Sequence, residues 1–206
     1  MKKVTLILAA AFVMLFAGNA QAQLGVNFGF APQTTTTTVG SSNSSASTNG
    51  YFVGVNYNKV LTGTIGLSVG VQGRYNYKSE TTTVLSVSTT TKQTQFIVDV
   101  PVLFNFGLIL SDNAHISIFA GPTFSYALSG NTNVSENVLN TSTDHPRYGD
   151  NSYITQLDIL GTVGATFAYQ SFRIFGGYRL GLLDLDKRDK VKTTTNGIFV
   201  GLGYVL

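Results

Sequence analysis

A chain of 206 residues with 13 Lys and Arg against 10 Asp and Glu has room for one domain and carries no charge excess that points to a nucleic-acid partner. It has no cysteine, which excludes a disulfide scaffold and a thiol nucleophile. Only 11% of its residues are charged, against roughly a quarter in soluble domains, while 22 Gly, 14 Phe, 10 Tyr and repeated Thr runs favour strands over helices.

The chain opens with MKKVTLILAAAFVMLFAGNAQA. Lys2 and Lys3 form a basic start, Val4 to Ala17 an apolar stretch, and Ala20-Gln21-Ala22 a small-x-small processing site. This is the pattern of a secretory signal peptide over residues 1–22, too short and too clearly terminated for a permanent span. One domain over 23–206 is then expected outside the cytoplasm. Lys2 and Lys3 leave with the leader, so 11 basic residues face 10 acidic ones in the remainder.

From there the dominant signal is period two, the mark of a strand with two different faces. A first strand has Leu24, Val26, Phe28 and Phe30 on one face and Gly25, Asn27 and Gly29 on the other. A second alternates Tyr51, Val53, Val55 and Tyr57 with Phe52, Gly54, Asn56 and Asn58. The third, Thr64 to Lys78, sets Ile65, Leu67, Val69, Val71, Tyr75 and Tyr77 against Gly66, Ser68, Gly70, Gln72, Arg74 and Asn76. The fourth, QFIVDVPVLFNFGL, looks like one apolar block, yet Phe96, Val98, Val100, Val102, Phe104, Phe106 and Leu108 share a face that excludes Gln95, Asp99, Pro101 and Asn105. Proline removes a ladder hydrogen bond, so a β-bulge is expected at Pro101. Four more strands run His115–Tyr126, Gln156–Tyr169, Phe172–Leu182 and Gly197–Leu206, making eight.

The connections alternate long and short. The polar tracts 32–50, 79–92, 129–152 and 184–193 are long; 59–63, 109–114 and 170–171 are short. All long connections therefore lie at one end, where they are expected as loops.

The second face of each strand is mostly Gly, Ser, Thr, Asn and Gln. Eight strands close into a barrel whose interior is just filled by side chains, and small polar residues suit that space. The apolar face then lies outside, which requires a bilayer, and closure leaves no backbone edge open to lipid. A soluble lipocalin-like carrier needs the opposite facing. Phe28, Phe30, Tyr75, Tyr77, Phe124 and Tyr126 near the long connections, and Tyr57, Phe104, Phe106, Phe167, Tyr169, Phe172 and Tyr204 near the short ones, are expected to form the two aromatic girdles of an outer-membrane barrel. The fold expected is thus all-β, an eight-stranded antiparallel up-and-down transmembrane β-barrel in the bacterial outer membrane, with both ends periplasmic.

The leader, the eight strands and the stretches VDVPVLFNFGL, FRIFGGYRLGLLDL and NGIFVGLGYVL resemble the small porin-like outer-membrane β-barrels of the PorT/OmpX-like type. The resemblance covers nearly all of residues 23–206 through loose motifs. It departs from the family at Leu206, where an aromatic residue is usual. Alternation up to Leu206 is intact, so recognition by the barrel-assembly machinery is still expected.

No motif for chemistry emerges. No G-x-S-x-G elbow, P-loop or H-E-x-x-H is found: Gly66-Leu67-Ser68-Val69-Gly70 spells G-x-S-x-G but lies inside the third strand rather than at a strand-to-helix turn, and no catalytic, cofactor or metal residue is nominated. His115 reads as a turn residue. His145, beside Asp144 and Asp150, reads as part of a solvated loop, and Asp184, Asp186 and Asp189 as surface charges offset by Lys187, Arg188, Lys190 and Lys192. The informative charges are Arg74, Asp99, Asp158, Arg173 and Arg179, all on the polar face. Inside a narrow barrel they must pair, with Arg74 expected near Asp99 and Arg179 near Asp158. Such a network either fills and stiffens the barrel or lines a narrow pore. The function expected is a small outer-membrane barrel, structural or interacting with an extracellular ligand or protein through its long connections. A pore or transport component is the alternative.

Overall fold

A computed structural model describes residues 22–84, 87–136, 141–148 and 152–206; the leader assigned to residues 1–22 lies almost wholly outside them. Ten strands are present: β1 (Ala22–Phe30), β2 (Gln33–Val39), β3 (Ser42–Thr62), β4 (Ile65–Val84), β5 (Val87–Ser111), β6 (Ala114–Glu136), β7 (Thr141–Pro146), β8 (Leu157–Tyr169), β9 (Phe172–Gly181) and β10 (Val191–Val205). β1 and β2 are one barrel position broken at Ala31–Pro32, since both pair with β3 and with β10. Pro32 has no N–H for a ladder, and Gly50 and Gly197 leave room for the break: a Cβ on either would come within 2.3 Å of a carbonyl of Ala31 or Pro32. β7 pairs with β6 outside the ring. The ring therefore has eight antiparallel positions, closed by β1 on β10 from Gly25↔Val205 to Phe30↔Val200.

The facing is the one that alternation implies. Val53, Phe104, Phe106, Ile118, Val163, Phe172, Ile174, Ile198 and Val200 are exposed on the outside, whereas Gln72, Arg74, Asn76, Asp99, Thr123, Thr162 and Arg179 are buried within. This excludes the lipocalin-like facing. Aromatics gather in register rows. Phe30, Tyr51, Tyr75 and Phe96 align across β1, β3, β4 and β5, and Tyr169, Phe172 and Tyr204 across β8, β9 and β10 at the other end. Ile65 to Tyr75 covers about the 9–11 residues that a tilted transmembrane strand needs.

Pro101 behaves differently from expectation. The β4–β5 ladder skips from Val69↔Val102 to Gln72↔Asp99 without losing register. The register shifts of β5 against β6 sit instead at Phe96/Ile97, where Leu128 is the extra residue, and at Ile109/Ser111. Pro101 needs no bulge because its ring packs where the neighbouring strand has only Gly70: a Cβ there would lie 3.4 Å from Pro101 Cγ.

The short turns are tight, at Gly63–Thr64, Asp112–Asn113 and Gln170–Ser171, the last holding Gln170 at φ 53°. At the other end the polar tracts 32–50 and 79–92 and the first part of 129–152 are mostly strand rather than loop, whereas 184–190 is a connection as expected. β4, β5 and β6 run 20, 25 and 23 residues, far beyond the barrel wall. β-branched Thr prefers extended backbone, and hydroxyl pairs bind strand to strand: Thr34–Ser47 at 2.9 Å, Thr36–Ser45 at 3.0 Å, Thr81–Thr90 at 3.0 Å and Thr83–Ser88 at 2.9 Å. His145, expected in a loop, lies in β7 opposite Thr132.

Candidate functional site

Three layers occupy the barrel interior. The one nearest the hairpins is built on Asp99 of β5, which is fully buried. Its carboxylate accepts four hydrogen bonds: from Arg74 Nε at 2.9 Å and Nη2 at 3.2 Å, from Arg179 Nη1 at 3.0 Å and from Ser125 Oγ at 2.7 Å. Arg74 approaches as a planar fork, the geometry that suits a carboxylate. The cluster extends sideways. Arg74 Nη1 and Asn76 Nδ2 donate to Gln33 Oε1, Arg179 Nη2 donates to Gln72 Oε1 at 3.2 Å, and Gln95 Nε2 donates to Tyr148 Oη at 2.7 Å.

Of the five nominated charges, three meet here: Arg74, Asp99 and Arg179. Arg179 sits on Asp99, which corrects its expected pairing with Asp158. Asp158 lies level with the cluster, since Ser125 is in register with both Asp99 and Asp158, and its Oδ1 has no hydrogen-bond partner among the described residues. One buried carboxylate thus serves two guanidinium groups at the barrel axis. Arg173 is apart, near the short turns, donating to Gln23 Oε1 at 2.9 Å.

The second layer is aromatic and was missed. Phe52, Phe119 and Phe199 are buried and Phe175 packs against them, with ring centroids 6.1 Å apart for Phe52–Phe175 and Phe119–Phe199 and 6.4 Å for Phe175–Phe199. They come from β3, β6, β9 and β10. Each lies over an interior glycine of a neighbouring strand. A Cβ on Gly29, Gly164, Gly177 or Gly201 would stand 2.4–2.9 Å from the tip of one of these rings. Glycine is thus what lets four phenylalanines fit a narrow barrel. The Arg179 guanidinium carbon lies 4.8 Å from the Phe199 centroid, a cation–π contact joining the two layers.

The third feature is a cavity of about 340 Å³ towards the short turns. It is lined by Asn27, Asn56, Asn58, Ser68, Asn105, His115, Ser117 and Arg173 among others, and ends against Phe119, Phe199, Gln72 and Arg179. His115, read as a turn residue, lies in β6 and lines it. On the other side of Arg74 a cavity of about 30 Å³ has room for a water or two.

At the far end the projecting strands divide into two lobes. β10, β2 and β3 form one; β4, β5, β6 and β7 form the other. The β3–β4 ladder starts only at Asn49↔Tyr77, so Ser42–Thr48 and Lys78–Val84 are two edges with no ladder between them. The charged connection 182–190 folds beside the first lobe. Asp184 Oδ1 accepts from the N–H of Thr193 at 2.9 Å, and Asp186 takes an Arg188 fork at 2.9 and 2.7 Å. That fork holds the buried Asp186 carboxyl below its ordinary pKa.

An outward apolar band, a closed eight-position ring and a polar interior define an integral outer-membrane β-barrel protein. The chain belongs to the outer membrane protein beta-barrel domain family, whose model matches residues 16–187, and its place is the bacterial outer membrane. No curated protein matches the sequence. Solved structures that resemble it include Ail, the attachment invasion locus protein of Yersinia pestis, in complex with the heparin analogue sucrose octasulfate, at 14% identity over 91% of this chain and 100% of that one with a TM-score of 0.46. Neisserial surface protein A matches at 13% over 90% and 99% with a TM-score of 0.41. The outer membrane enzyme PagL matches at 13% over 83% and 97% with a TM-score of 0.39. The assignment rests on the family match. Short turns then face the periplasm and the projecting hairpins the exterior.

Proposed function

We propose that this is a non-catalytic, non-conducting surface protein whose projecting hairpins engage an extracellular partner, with the barrel as their anchor. The observation that carries this reading is the interior cross-section at Asp99. Asp99 and Thr123 are fully buried, and Arg74, Asn76 and Arg179 nearly so. A pore needs a continuous wet path, and here buried side chains from four strands, β4, β5, β6 and β9, stand across it. Support also comes from the two lobes. Their hydroxyl-rich faces and the unladdered edges 42–48 and 78–84 offer backbone donors and acceptors to an extended partner segment. Lys78 and Glu80, paired at 2.8 Å, place charges on the second edge of the kind that keep exposed edges from self-pairing.

The test is a comparison of proteoliposomes bearing the full chain with ones whose hairpins 35–46 and 80–91 are replaced by two-residue turns. Both are passed over arrays of immobilised extracellular proteins and glycans. The reading expects saturable binding by the full chain and none by the shortened barrel, with heat-modifiable gel migration kept in both. Binding that survives the shortening contradicts it, as does a full chain that binds nothing.

A further inference from the structure

The periplasmic cavity is larger than barrel packing requires and has the composition of a site. At about 340 Å³ it falls in the size range of small-ligand pockets. None of the described residues lining it is acidic, while Lys59, His115, Arg173 and Arg179 are basic. The Arg179 charge is balanced by Asp99. Lys59 and Arg173 form no ion pair among the described residues. Buried polar atoms also lack hydrogen-bond partners among the described residues: Asn27 Oδ1, Asn58 Nδ2, Arg173 Nε and Arg179 Nε. Asn27 is 7% exposed and lines the cavity. Such groups are costly to leave unpaired, and those of this cavity are two amide groups and two guanidinium N–H donors.

The lining is also graded. Lys59, His115 and Arg173 lie towards the short turns, whereas Pro101, Leu103, Phe119, Phe175 and Phe199 form the inner walls and end. We propose that this cavity binds a small amphiphilic anion from the periplasm, a carboxylate carrying an aromatic or short aliphatic group. The apolar part lies against Phe119, Phe175 and Phe199. The carboxylate stays near the mouth, accepting from Arg173 and attracted by Lys59, while Asn27 and Asn58 bind polar atoms between. This site is independent of the hairpins and of any extracellular partner.

The experiment is an NMR titration of the refolded barrel in lipid nanodiscs with phenylacetate. Benzyl alcohol serves as the neutral probe and inorganic phosphate as the anion without an apolar part. Expected are saturable shifts at the amides of Asn58, Ser117 and Gly203, with both control probes weaker by about tenfold or more, the worth of one charge-assisted contact or one buried ring. Arg173→Gln is expected to weaken phenylacetate by about the same factor, and Asn58→Asp, which adds a like charge, to abolish it. Two variants are used so that one misfolded barrel does not decide the matter. A cavity holding solvent only gives no saturable shift and overturns the proposal. So does equal affinity for benzyl alcohol, or binding unchanged in both folded variants.

Discussion

Removing the Asp99 carboxylate leaves Arg74 and Arg179 without the carboxylate that both hydrogen-bond, Asp158 lying level with them but bonded to neither. Burying unpaired charge is far more costly than never having had the pair, so Asp99→Ala is expected to lose about 3–5 kcal/mol. Urea unfolding of the refolded barrel in micelles, followed by gel mobility, measures it, and a loss below 1 kcal/mol contradicts the central role of this residue. Asp186 makes a separate prediction outside the membrane. Its folded pKa is lowered, chiefly by the Arg188 hydrogen bonds. Its contribution is therefore fully present above the unfolded carboxylate value, about 3.9, and is lost as pH falls through the lower folded value. Carboxyl NMR should find Asp186 titrating below that value in the native chain and close to it in Arg188→Ala.

Among the elements, the glycine–phenylalanine pairs explain a composition that propensity alone treats as unfavourable for strands. A Cβ at Gly164 would lie 2.3 Å from the Gly176 carbonyl and 2.4 Å from the Phe119 ring. Gly164→Ala is expected to cost about 1–3 kcal/mol through overpacking, measured by the same unfolding assay. Parity had already put Phe52 and Phe199 on the inner face. What hid the aromatic layer was the assumption that an eight-stranded interior is filled by small polar groups. The assumption fails because glycines on the facing strands make the room. Asp99 with Arg74 was legible because one acid and one base stood at inward positions near the middle of adjacent strands, with Lys78 only at the strand's end. Arg179 was not, because alternation fixes a side chain's face but not which carboxylate across the lumen it reaches. The hairpin extensions were read as loops for a related reason. Hydrophobic periodicity detects a strand only when its two faces meet different surroundings, and Gln33–Val39 or Ser42–Thr48 is wet on both. Pro32 and the Thr runs then look like linker composition.

At the scale of the whole molecule, one sequence builds three environments along one axis. A lipid-facing band surrounds the ring, an ionic and an aromatic layer occupy its interior, and hydroxyl-paired hairpins extend beyond it. The proposed function joins the filled interior to the projecting hairpins, since a barrel that passed nothing would leave its outward parts to do the work. The most direct test of that claim is the current across a planar lipid bilayer containing the refolded full-length barrel. No discrete conductance steps above the bare-bilayer baseline are expected at any holding potential the membrane tolerates. Reproducible ohmic steps, present with the folded barrel and absent from a heat-denatured control, would show an open path past Asp99 and contradict it.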